Sequence, residues 1–191
     1  MNYEEYWDRI NDKSEELNSI ISSYWNTYSN MGTWQFWIVV SFLVLPLILL
    51  YFTVDRKRMF ELFFFGYTVH MLWTYIDLAL ERYGYFIHTY FLTPVLPMAL
   101  SMTSSALPVG FLLVYQYCTN KKKNFYLYTL LLSAMFAFGF ASIEIKWGLS
   151  EFNKDMNQTY LFLIDAGIAF IAYWFTKLIR RAVNKAKQHA K

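Results

Sequence analysis

The chain has 191 residues, 57% of them hydrophobic and 16% charged, with a formal net charge of +3. A soluble domain usually carries about 25% charged residues, so a large water-soluble domain is excluded. The single Cys118 excludes an intrachain disulfide, a cysteine-rich zinc site and a CxxC redox motif.

Residues 1–33 are expected to form an outer-surface segment. Met1 to Glu16 carry six acids and two bases, which is not the basic start of a secretory signal. Tyr3, Tyr6, Trp7, Ile10, Leu17, Ile20, Ile21, Tyr24 and Tyr28 recur at helical spacing. Asn2 with Glu5 reads as a capping box. The prediction is an amphipathic helix, broken near Ser14, serving as a surface anchor or as a lid over the bundle mouth.

Residues 34–178 read as an all-α polytopic bundle. A helix needs about 20 apolar residues to cross the bilayer core. Trp34 to Val54, Met59 to Leu80, Ala99 to Cys118, Phe125 to Trp147 and the shorter Tyr160 to Leu178 qualify. Pro46 predicts a modest kink in the first. Ser133, Ala137 and Ala141 give the fourth a small-residue face for close packing, and Ala166, Gly167 and Ala169 suggest the same in the fifth.

Before span three the pattern breaks at Pro94 and Pro97, with Pro108 following. A short segment is expected to enter from outside, turn near Thr93-Pro94 to Pro97, and lead into the span. Irregular backbone at membrane depth is tolerated only beside protein or a wet cavity. Pro94, Pro97 and Pro108 are therefore placed along the interior, where the segment would offer carbonyl groups.

Basic residues set the orientation. Asp55-Arg56-Lys57-Arg58, Lys121-Lys122-Lys123 and the tail 179–191 alternate with the acidic N-terminus, Glu81-Arg82 and the loop holding Glu151, Lys154 and Asp155. The positive-inside rule puts the N-terminus outside and the C-terminus in the cytoplasm of a multi-pass cell-membrane protein. The acid-free tail, through Lys191, suits anionic lipid headgroups. Nucleic acid is not an expected partner.

Charged groups inside apolar stretches are costly and usually face an interior, a cavity or a partner. Asp165 lies in span five, His70 and Asp77 in span two, and Glu144 and Lys146 near the end of span four. With Trp73 and His88 they converge by depth on the outer half. Three neighbouring carboxylates cannot all stay charged cheaply unless a cation sits among them. Glu61, beside Arg58, reads as a boundary ion pair. There is no HExxH, paired-histidine, Walker, GxGxxG or GxSxG motif, so no metal, cofactor or catalytic residue is assigned.

Asp77, Tyr85, Thr93-Pro94, Leu96-Pro97, Leu107-Pro108-Val109 and Tyr115-Gln116-Tyr117 resemble a poorly characterised group of small multi-spanning membrane proteins from spore-forming Gram-positive bacteria. The resemblance spans up to two thirds of the chain. It implies a plasma-membrane location and a role for the proline segment, but no activity. The N-terminal helix is longer than in that group.

The leading expectation is a small transporter or ligand-binding protein with an outward-facing acidic and aromatic cavity for a cation or amine-like solute. Trp73, Trp147 and Tyr160 would supply ring faces for an organic cation. Five spans are few for alternating access, which suggests a homodimer. Two other readings compete. One is a partner subunit of a larger membrane complex. The other is an intramembrane acid–base enzyme acting on a lipid or isoprenoid, with His70 assisting Asp77 or Asp165.

Overall fold

The apolar runs fold as helices, the conformation that satisfies backbone amides within one segment. In the computed structural model, which describes residues 1–189, they make an all-α bundle with one short β-ribbon. Ala190 and Lys191 of the basic tail lie outside the described residues.

Helix α1 is Tyr3–Tyr24. Its capping box is present: Glu5 N–H donates to Asn2 Oδ1 at 2.8 Å and Asn2 N–H to the Glu5 carboxylate at 3.0 Å. The helix runs through Ser14 without the expected break, because no glycine or proline interrupts it there. None of its residues is buried. A π turn, Trp25–Ser29, follows.

Helix α2, Trp34–Thr53, remains helical on both sides of Pro46 and buries only Phe36, Val39 and Leu50. It lies against the π turn Met102–Ala106 and against α4, Leu107–Lys121. Helix α3, Met59–Arg82, packs on α4 and on α7, Gln158–His189. Helix α5, Phe125–Ala134, also touches α4 and α7. It passes through a π turn, Met135–Phe140, into α6, Ala141–Lys146. The long α7 carries the last apolar run into the basic tail as one helix.

Three helices are long and apolar enough to cross a membrane: Trp34–Thr53, Phe125–Lys146 and Gln158–Ala186. Large apolar side chains on their outer faces are exposed, including Leu45, Phe52, Leu131, Leu163 and Trp174. An apolar surface of this extent fits association with a membrane.

The ribbon was not anticipated from the sequence. α3 and α6 end alike, each at a glycine in the left-handed region, Gly84 at φ 64° and Gly148 at φ 68°. Tyr85 N–H reaches back to Leu80 O, and Leu149 N–H to Glu144 O, both at 2.8 Å. This is the Schellman closure, which glycine permits because it has no Cβ to clash. The chains then leave their helices extended. β1, Phe86–His88, pairs antiparallel with β2, Ser150–Phe152, with His88 opposite Ser150. Glu151, expected in a loop, is thus in a strand.

The stretch between β1 and Leu100 is not helical, and a turn joins Thr93 O to Leu96 N–H at 3.2 Å. Proline at the second turn position supplies the φ that position needs.

Candidate functional site

Beneath the ribbon is an internal cavity of about 40 Å3. α3 contributes Trp73 and Asp77, β1 contributes Phe86 and His88, and α7 contributes Leu161 and Asp165. The run after the proline turn contributes Ala99, Met102, Thr103 and Leu107. The helix from α5 through α6 supplies Phe136, Ala137, Ala141 and Glu144. Ala137 and Ala141 belong to the small-residue face expected of that helix, and their short side chains leave space at the cavity wall.

Asp77 anchors the roof. One carboxylate oxygen meets His88 Nε2 at 3.1 Å, and the other accepts Ala99 N–H at 3.2 Å. Glu81 lies 3.9 Å from the same Nε2 and accepts His88 N–H at 3.3 Å. Burial alone would lower the pKa of the His88 imidazole. The Asp77 carboxylate, helped by Glu81 and Glu144, outweighs it and raises the pKa to about 9.

Asp165, 2% exposed, sits at the α7 wall and accepts Trp73 Nε1–H on one oxygen at 3.1 Å. Glu144 is buried against the cavity, and no side-chain or backbone donor among the described residues reaches its carboxylate. The Ser150 hydroxyl, opposite His88 in the ribbon but outside the cavity lining, is buried without a partner among them, as are those of Thr129 and Ser133. Buried polar groups are normally satisfied, by protein or by ordered water. A cavity of about 40 Å3 has room for two or three waters, or for one small cation.

The cavity therefore brings together Trp73, Asp77, His88, Glu144 and Asp165. Three other expected groupings are corrected. His70 lies roughly 10 Å along α3 from Asp77, outside the cavity. Its Nδ1–H donates to Thr103 O at 2.9 Å, and it lines a separate groove with Ser104 and Pro108. Lys146 is exposed; two residues beyond Glu144 on one helix, it points to the opposite side. Pro94 and Pro97 shape the turn but do not line the cavity, and Pro108 lines the His70 groove instead. The segment offers Asp77 an amide donor, where carbonyl acceptors were expected.

Trp147 and Tyr160 are exposed and do not face the cavity. The rings that do are Trp73, Phe86 and Phe136. Among the described residues no cluster of three or more His, Cys, Asp or Glu has the geometry of a metal site. Sequence reasoning missed Phe86 and Phe136, and it gave Glu81 only an orientation role. The glycine stops at Gly84 and Gly148 were the available signal for the ribbon that brings Phe86 and His88 inward. Comparison with family models, curated proteins and solved structures finds no match for this chain.

Proposed function

We propose that the chain spans the membrane five times and binds a small monovalent cation of ammonium size in its internal cavity. The spans are α2, α3, the helix ending in α4, the helix from α5 through α6, and α7. In this placement the ribbon and α1 lie outside and the basic tail lies in the cytoplasm. The observation that carries the proposal is the joint presence of Asp77, Glu144 and Asp165 around one small space, with His88 as the one cation facing them.

The size favours ammonium or a methylated ammonium over a larger organic cation. Its N–H groups suit the carboxylate oxygens left open on Glu144 and Asp165. Trp73, Phe86 and Phe136 add ring faces that attract positive charge. The acid–base enzyme reading takes His70 as the partner of Asp77 or Asp165; Asp77 meets His88 instead, and His70 is held by Thr103 O.

Thermal unfolding of detergent-purified protein, titrated with ammonium, methylammonium, sodium and tetraethylammonium chlorides, tests the reading. Saturating ammonium or methylammonium is expected to stabilise by about 2–3 kcal/mol at a hundredfold excess over Kd. Glu144→Gln and Asp165→Asn should each weaken that response about tenfold or more. Equal stabilisation by all four salts, or an unchanged response in both variants, removes the cation site.

A further inference from the structure

The opposite end of the bundle carries a second, larger space. A groove of about 530 Å3 runs between the first turns of α3 and the C-terminal part of α7. Its apolar walls include Phe60, Phe64 and Ile179, and its rim holds Lys57, Arg58 and Arg180. Phe60 is 94% exposed, with no other side chain covering it.

The three cations are not equivalent. Arg58 is committed: it pairs with Glu61 at 2.7 Å, donates to Thr119 Oγ1 at 2.9 Å and also reaches Asn120. Arg180 touches Glu61 through one nitrogen at 3.3 Å and remains 56% exposed. Lys57 makes no side-chain hydrogen bond or ion pair among the described residues, and it is exposed. Three bases against the one acid of the lining, Glu61, leave a formal charge of +2 (3 − 1). Two incompletely neutralised cations thus stand beside a bare apolar wall.

We infer that this groove is a binding site for one anionic phospholipid. The headgroup phosphate lies between Lys57 and Arg180, and an acyl chain runs along Phe60, Phe64 and Ile179. The charge complements a phosphate, and the walls complement a hydrocarbon chain. A soluble phosphate would leave the rings wet, and a zwitterionic lipid would leave the surplus charge unmatched. Basic recesses between helices at the cytoplasmic face are a known way to hold such headgroups. The site rests on the membrane placement proposed above but not on the ligand of the internal cavity.

Native mass spectrometry tests it. Protein is released from phosphatidylcholine nanodiscs holding a minor fraction of phosphatidylglycerol, and the retained lipid is identified. Wild type is expected to keep one phosphatidylglycerol. Each lost cation should weaken retention about fivefold, so Lys57→Gln with Arg180→Gln should weaken it about twenty-five-fold. Arg181→Gln with Lys185→Gln removes the same charge from a neighbouring furrow of α7 and should leave retention unchanged. Arg180→Lys should preserve it. If the double groove variant does not fold, Lys57→Gln alone still predicts the fivefold loss.

Equal losses in the two double variants would mean diffuse attraction and overturn the site. So would unchanged retention in Lys57→Gln, or displacement of the lipid by excess water-soluble glycerol 3-phosphate. Failure to enter nanodiscs would instead overturn the membrane placement. Stable insertion without preference for phosphatidylglycerol overturns the groove alone.

Discussion

Asp77 and His88 decide the state of the cavity roof. The imidazole is buried, yet its pKa is raised to about 9 from an ordinary 6.5, because Asp77 faces it directly and Glu81 and Glu144 face it from α3 and α6. A raised folded-state pKa means that the folded protein binds the proton more tightly than the unfolded chain. The pair's contribution is present in full below about pH 6.5 and is lost as pH rises through about 9. Thermal midpoints should therefore fall across that window in wild type, and His88→Gln should flatten the decline. An identical pH profile in the variant would show that another group controls it. The sequence made the acids of this site legible, because charges inside apolar runs are expensive enough to need a reason. It could not separate His70 from His88. Both are histidines near Asp77, and only the ribbon, which returns the chain over the end of α3, decides which one meets the carboxylate.

The elements above the cavity are joined as a strap. Trp25 Nε1–H donates to Phe91 O at 3.1 Å, and Tyr24 Oη–H donates to Thr89 O at 3.1 Å. Ser29 accepts Phe91 N–H at 3.0 Å and donates to Phe91 O at 3.2 Å. The end of α1 and its π turn thereby fasten the irregular run that follows His88. Ser29 is fully buried, so losing its hydroxyl leaves the Phe91 amide without its partner. Ser29→Ala should cost about 1–3 kcal/mol locally. Hydrogen exchange at residues 89–93 should accelerate while exchange in the α3 interior stays unchanged. Uniform acceleration would mean that the strap supports the whole bundle, and no acceleration that it supports nothing. The capping box of α1 was legible because it is a local pattern with a local mechanism. The ribbon was not, since three-residue strands are too short to show alternation. The proline turn was legible, but the direction of its polar groups depended on where α3 placed Asp77.

At the scale of the molecule, hydropathy and charge must agree on a single arrangement. The ends of α3 and α6, the ribbon and the N-terminal strap share one end of the bundle. The Arg56–Arg58 turn, the Lys121–Lys123 loop and the basic tail share the other. Helix lengths and the apolar surface follow from the sequence, because both depend on composition along one segment. Helix contacts do not, and they determine that α2 stays peripheral while α3 packs on both α4 and α7 along one face and leaves Phe60, Tyr67 and Tyr75 exposed on the other. The alternation of basic segments predicts that Lys123 is cytoplasmic and that Asn11 and Asn153 are outside. Asn11, Lys123 and Asn153 are all exposed, and the native Cys118 is buried. In a Cys118→Ser background, Asn11→Cys and Asn153→Cys should react with a membrane-impermeant maleimide on intact cells. Lys123→Cys should react only after permeabilisation. Reaction of Asn11→Cys and Lys123→Cys from the same side would break the alternation. It would also move the acidic cavity away from the proposed outer end.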